Sequence, residues 1–107
     1  MTGTTNQFEW AELIKPRVNA EFDRVEKAFQ SVARGQGEMD RLDTLSVIGI
    51  LEEKRVAVMA RDSAGYFIHD WQELTDQVRR MIAQDPRYTA IKANRKARNS
   101  QALSRIE

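Results

Sequence analysis

The chain of 107 residues contains no cysteine, and this absence excludes several chemistries together. Without a thiol there is no disulfide framework, no cysteine-ligated zinc or iron–sulfur cluster, and no thiol nucleophile. The composition, with 41% hydrophobic and 31% charged residues, describes one small globular domain. It is compatible with a reducing compartment, and we predict a cytoplasmic protein.

Long apolar runs are missing as well. The most apolar stretch, residues 47–51, is far shorter than the roughly 20 residues that a membrane-spanning helix needs. The first seven residues carry neither the basic region nor the apolar region of a secretory signal. We therefore expect a protein that neither crosses a membrane nor takes one as a partner.

The sequence also lacks the motifs of common catalytic and phosphate-binding sites. Gly35-Gln36-Gly37 has no third glycine and no following Lys-Ser/Thr pair, so it does not predict a phosphate-binding loop. The only histidine, His69, has Glu73 four residues on but no further metal ligands nearby. Adjacent carboxylates at Glu52 and Glu53 would point to opposite faces of a strand. We predict no catalytic residue, no metal, no cofactor and no small-molecule substrate.

A long amphipathic stripe is the clearest feature that the sequence does contain. Apolar residues recur from Phe8 to Arg34 every 3.5 residues on average, which predicts a helix. These residues are Ala11, Ile14, Val18, Phe22, Val25, Phe29 and Val32. Pro16 predicts either a kink or a fresh start, so the uninterrupted part is 16–34. We expect the helix to end at residues 35–37, where glycine would supply a positive φ.

From Val18 to Val32 the stripe has the alternating four- and three-residue steps of a coiled-coil seam. One interpretation is that the seam packs on the rest of the protein. The other is that it meets a second copy or a partner helix. In that case the interface residues are Val18, Phe22, Val25, Phe29 and Val32.

Residues 38–69 allow two interpretations. Leu42, Leu45, Ile48 and Leu51 recur at threes, as in a helix. The dense β-branched residues and the turn-forming segment 62–65 instead favour a three-stranded antiparallel meander over residues 44–52, 55–61 and 66–69. We prefer the strands, although Glu53-Lys54 lacks the residues of a usual hairpin turn.

A further helix is predicted to begin at Asp70, with Glu73 completing a capping box, and to end at Asp85-Pro86. Its apolar face consists of Trp71, Leu74, Val78, Met81 and Ile82. Asp76 and Arg80, four residues apart, are expected to form a supporting ion pair.

Charge is divided unevenly along a chain whose net charge is only +1. Residues 1–86 carry eleven basic and fifteen acidic side chains, whereas residues 87–107 carry six basic and one acidic. The basic residues of this tail are Arg87, Lys92, Arg95, Lys96, Arg98 and Arg105. We expect 1–86 to form the domain and 87–107 to be a tail or marginal helix that contacts nucleic acid or an acidic protein. A merely solvated tail is the alternative.

Together these elements predict an α+β domain, with two helices on one face of a three-stranded sheet, and an all-α fold as the alternative. The leading functional hypothesis is a non-enzymatic binding or assembly protein. It would bind itself or another protein through the N-terminal helix and make electrostatic contacts through the tail. The second hypothesis is a nucleic-acid-binding regulator that uses the tail without reading base sequence.

Overall fold

The structure is a computed structural model that describes the backbone of residues 3–106 and the side chains of residues 3–100. Within this part the chain forms five α-helices and no β-strand. They are α1 (Thr5–Arg34), α2 (Glu38–Met59), α3 (Ala64–Asp70), α4 (Leu74–Ala83) and α5 (Pro86–Ile106). None of the described helices combines the length and apolar character required to span a bilayer.

The predicted α+β fold is therefore wrong, and the all-α alternative agrees with the structure. Residues 44–52 and 55–59 belong to α2, and residues 66–69 belong to α3. The buried side chains Val47, Leu51 and Val58 follow a helical repeat, and their burial overrides the β preference of branched residues. Glu53-Lys54, which lacks hairpin-turn residues, simply continues the helix.

Helix α1 begins earlier than predicted and runs without a break. Thr4 caps it: the Thr4 hydroxyl accepts from the backbone N–H of Gln7, and the Gln7 side chain accepts from the backbone N–H of Thr4. Pro16 lies inside the helix. The end at Arg34 agrees with the prediction, but Gly35 has a φ of −92°, so the expected positive φ is wrong.

Helix α1 is the central element of the core, because it packs against α2, α3 and α4. Phe22 is completely buried, and its ring lies 5.7 Å from the ring of Trp71. The other buried members of this cluster include Val18, Val25, Leu51, Phe67, Val78 and Ile82. The long seam of α1 is thus largely covered by the chain's own helices.

The predicted strand over residues 66–69 and the predicted helix start at Asp70 both differ from the structure. The Ser63 hydroxyl caps α3, so a helix is already under way when the chain reaches Asp70, which is its last residue. Residues 71–73 form a turn that places Trp71 in the core. The predicted capping box at Asp70 does not form, and Arg80 pairs with Glu73 rather than with Asp76.

Two groups of large apolar side chains remain exposed. Trp10 and Leu13, near the start of α1, are 63% and 69% exposed. On α2 the exposed residues include Leu42, Leu45 and Val56. Neither group belongs to the hydrophobic core cluster.

Candidate partner-binding groove

Helix α5 stands beside α1 without packing on it. It contacts α2 and α4, but among the described residues no Cα atom of α5 lies within 8 Å of one in α1. The space between the two helices opens into a groove made of two adjoining concavities. One, of about 390 Å³, lies between α1 and α4 and is reached from α5 by Tyr88; the other, of about 430 Å³, lies between α1, α2 and α5. Phe29, Val32 and Tyr88 line both concavities, so they form one continuous surface.

The floor of the groove is apolar. Besides the three shared residues, the apolar side chains that line it are Val25, Ala28, Val47, Ile82, Ala83 and Ile91. Phe29, Tyr88 and Ile91 are half-buried and pack against the main core, so the floor is held in place from below. Water in this groove therefore covers a preformed apolar surface.

Every charged side chain that lines the two concavities is basic. These residues are Arg79, Lys92, Arg95 and Lys96, and no carboxylate lines either concavity. Arg95 is already engaged with α2. Lys92 lies over the Tyr88 ring, with Nζ 5.6 Å from its centroid. Arg79, Lys92 and Lys96 have no ion-pair partner among the described side chains, so they are available to an acidic ligand.

Three other basic residues of the predicted tail, Arg87, Arg95 and Arg98, hold α5 on the protein. The Arg98 guanidinium donates to Asp40 at 2.9 Å and to Asp43 at 2.7 Å. Arg95 lies 3.6 Å from each of the same carboxylates and donates to the backbone oxygen of Asp40. The Arg98 guanidinium lowers the pKa of Asp43, because the hydrogen bond favours the ionised carboxyl.

The carboxylate of Asp85 anchors the start of α5. It accepts from the backbone N–H of Arg87 at 2.8 Å, which caps the helix that Pro86 begins. It also pairs with the Arg87 guanidinium at 2.9 Å and with Lys54 at 3.0 Å. These hydrogen bonds, first from Arg87 and then from Lys54, hold the pKa of Asp85 far below its usual range. Arg87 also pairs with Glu53 of α2.

The structure divides the predicted site residues into distinct groups. Val18, Phe22 and Val25 are at most 2% exposed and belong to the core, so no second molecule reaches Val18 or Phe22 without unfolding, whereas Val25 also lies at the base of the groove. Phe29 and Val32 lie on the groove. The predicted contact residues Arg87, Arg95 and Arg98 make internal ion pairs, whereas Lys92 and Lys96 face the groove. The side chain of Arg105 lies outside the described residues.

Sequence reasoning missed several contributors to the groove, among them Arg79, Tyr88 and Val47. It also missed the attachment of α5 to α2, which equal spacings in the two helices allow but do not specify. Asp40 and Asp43 are three residues apart, as are Arg95 and Arg98, so two helices can bring the pairs together face to face.

The histidine region offers no comparable arrangement. His69 is exposed at the end of α3, beside a shallow depression that Asp70 and Glu73 also line. No group of three histidine, aspartate or glutamate side chains in residues 3–100 is placed to hold a metal ion. Within the described part of the chain, we therefore take the groove as the candidate binding site.

Comparisons of the chain with protein-family models, with curated proteins and with solved structures find no match. We therefore base the functional proposal on the geometry and charge of the groove.

Proposed function

We propose that this chain is a non-enzymatic docking protein that binds a segment of a protein in the groove between α1 and α5. The observation that carries the proposal is a largely apolar floor whose charged lining side chains are all basic; the other polar residues that line it, Gln36, Thr44, Asn99 and Ser100, are uncharged. Apolar surface supplies most of the driving force for association, while charges at the rim set the orientation and the choice of partner. Two predicted contact regions meet in the groove. Phe29 and Val32 come from the predicted interface on α1, and Lys92 and Lys96 come from the predicted basic tail.

A protein segment suits this groove better than a nucleic acid. Strong binding to a nucleic-acid backbone draws on many cations, and three of the tail's six basic residues are already neutralised by carboxylates of the chain. The floor is open and apolar, and it extends over two adjoining concavities. Successive apolar side chains of a bound peptide could enter these two concavities.

The proposal is tested by selecting peptides from an unbiased display library against the full chain. We expect peptides whose binding is lost with Val32→Glu and retained with Val56→Glu. The two substitutions are matched, because both valines are more than half exposed and lie on helices, but only Val32 lines the groove. Circular dichroism would establish that both variants fold.

Two results would overturn the proposal. One is a selection in which no peptide distinguishes Val32→Glu from Val56→Glu. The other is tight, salt-sensitive binding of a 20-nucleotide probe that is abolished by Lys92→Glu with Lys96→Glu but not by Val32→Glu, which would favour the nucleic-acid hypothesis.

A further inference from the structure

The first turns of α1 present an apolar surface that nothing in the described chain covers. Trp10 and Leu13 are three residues apart, so they lie side by side on one face of the helix. On the side of the helix that faces the core, Ala11 is fully buried, and Ile14, one turn after Trp10, packs on the core. The outward face therefore carries two large apolar side chains that take no part in the fold.

Carboxylates lie along one edge of this face. In an α-helix each residue turns by about 100°, which places Glu9 and Glu12 together on the same side of the line through Trp10 and Leu13. Both glutamates are exposed, and neither has an ion-pair partner among the described side chains. Residues 5–14, whose only charged side chains are Glu9 and Glu12, are thus an acidic stretch of helix that is already folded. Arg17 lies on the same face one turn beyond Leu13, at the end of this stretch.

The groove has the matching shape for such a helix. Its wall on α1 consists of Val25, Phe29, Val32 and Gln36, and these residues form one ridge over three turns. The wall on α5 is a similar ridge in which Lys92 and Lys96 stand one turn apart. Two parallel ridges with a gap between them are the packing surface that a third helix fills.

The charges of the two surfaces are also complementary. A helix lying with Trp10 and Leu13 on the groove floor turns one edge toward α5. If that edge carries Glu9 and Glu12, the carboxylates meet Lys92 and Lys96, which lie on one side of the groove only. The groove contains no carboxylate that would oppose this orientation.

The segment cannot reach the groove of its own molecule. Trp10 and Val32 lie on the same continuous helix, and 22 residues at 1.5 Å each separate them by about 33 Å. The donor of this segment is therefore a second molecule.

We propose that copies of this chain associate head to tail, with the Trp10–Leu13 face of one copy in the α1–α5 groove of the next. The inference rests on the groove being the binding site proposed above, and it names the partner. A pair formed in this way leaves a free groove on one copy and a free Trp10–Leu13 face on the other, so association continues into a ring or an open filament.

The test measures molar mass by sedimentation equilibrium from micromolar to millimolar concentration. We expect the mean mass of the full chain to rise above that of the 12.3 kDa monomer. Trp10→Glu removes the inserted face and Val32→Glu blocks the groove, so each should weaken association by at least about tenfold. Val56→Glu is the matched control and should associate like the parent chain.

Mixing the two weakened variants gives the sharpest result. Trp10→Glu keeps an intact groove and Val32→Glu keeps an intact Trp10 face, so an equimolar mixture should form a dimer and stop there. Charge reversal offers a parallel mixture: Glu9→Lys with Glu12→Lys should recover association only with Lys92→Glu plus Lys96→Glu.

Fluorescence reports the same event at one residue. The chain has two tryptophans, and Trp71 is 3% exposed whereas Trp10 is 63% exposed. Association should therefore shift the emission to the blue and reduce quenching by iodide through Trp10 alone.

Three outcomes would overturn the inference: a monomer throughout the concentration range, association that survives both Trp10→Glu and Val32→Glu, or a mixture that stays monomeric. These outcomes are distinct from failure of the docking function. Library peptides that need Val32 would preserve the groove as a binding site even if the chain does not bind itself.

Discussion

Helix α2 is held on two sides by different forces. Toward α1 it is held mainly by an apolar core that includes Val47, Leu51 and Val58, beside which Arg55 pairs with Asp23 and Glu26 of α1. Toward α5 its main attachments are the carboxylates Asp40 and Asp43, which bind two arginines. Apolar burial is insensitive to pH and moderate salt, whereas partly exposed ion pairs depend on both. One wall of the groove, α5, is therefore attached by contacts that a change in pH or salt concentration can weaken.

The largest expected effect breaks the apolar side. Phe22→Ala leaves a cavity beside Trp71, so we expect the free energy of unfolding to fall by about 3–5 kcal/mol. Urea denaturation measures this change, and α1 and α5 should unfold together because both depend on α2. Val32→Ala, at an exposed position, should stay within about 0.5 kcal/mol of the parent chain. A loss equally small for Phe22→Ala would contradict the assignment of the core.

Acid should separate the two sides. The pKa values of Asp43 and Asp85 are lowered in the folded protein by their arginine and lysine partners. Their contribution to stability is present above the ordinary value of 3.8 and is lost as the pH falls below it through the folded values. Backbone NMR from pH 7 to pH 2.5 should show α5 changing before α1.

The α1–α2 side contains a carboxyl with the opposite behaviour. Burial, and then a hydrogen bond with Glu52, raise the pKa of Glu26 above its ordinary 4.5. The folded state therefore takes up this proton first, and stability rises as the pH falls through the raised value. Simultaneous loss of α1 and α5 on acidification would contradict the contrast between the two sides.

A single substitution should loosen α5 alone. Asp43→Asn removes the charge that faces Arg98 and Arg95, so amide hydrogen exchange should become faster in α5 and stay unchanged in α1. The effect should be smaller than that of acid, because Asp40 and Asp85 keep their pairs. Asp70→Asn, an exposed change in α3, is the control. Equal acceleration in α1 would show that the two sides are not separable.

The smallest change should stabilise both sides. Gly49 lies in the middle of α2, and a Cβ added there would have no atom within 4 Å. Gly49→Ala should therefore raise the free energy of unfolding by about 0.5–1 kcal/mol through helix propensity alone. Urea denaturation and hydrogen exchange should report the gain in α1 and α5 alike. A loss of stability would indicate that the space beside Gly49 is needed.

The same contrast explains what could be predicted from the sequence. The stripe through Phe22 repeats over about six turns within one segment, so local periodicity predicted the helix and its end at Arg34, but not its start at Thr5 or its continuity through Pro16. In α2, the β preference of the branched residues predicted strands. The segment is a helix because Val47, Leu51 and Val58 pack against α1, which is remote in the sequence. The attachment of Arg98 to Asp43 joins residues 55 apart, and no local pattern carries that information. The groove depends on this attachment, so it could not be foreseen.

The carboxylate of Asp85 fixes the first turn of α5, and Lys96 lies 11 residues farther along the helix, at about 16 Å. A rotation of α5 by about 10° about its first turn would therefore move Lys96 by about 3 Å and Tyr88 by less than 1 Å. Under the proposed docking function, a wider bound segment would require this movement near Lys96 and almost none near Tyr88. The ion pairs of Arg95 and Arg98 with Asp40 and Asp43 oppose the movement, so their strength would limit how wide a segment can bind.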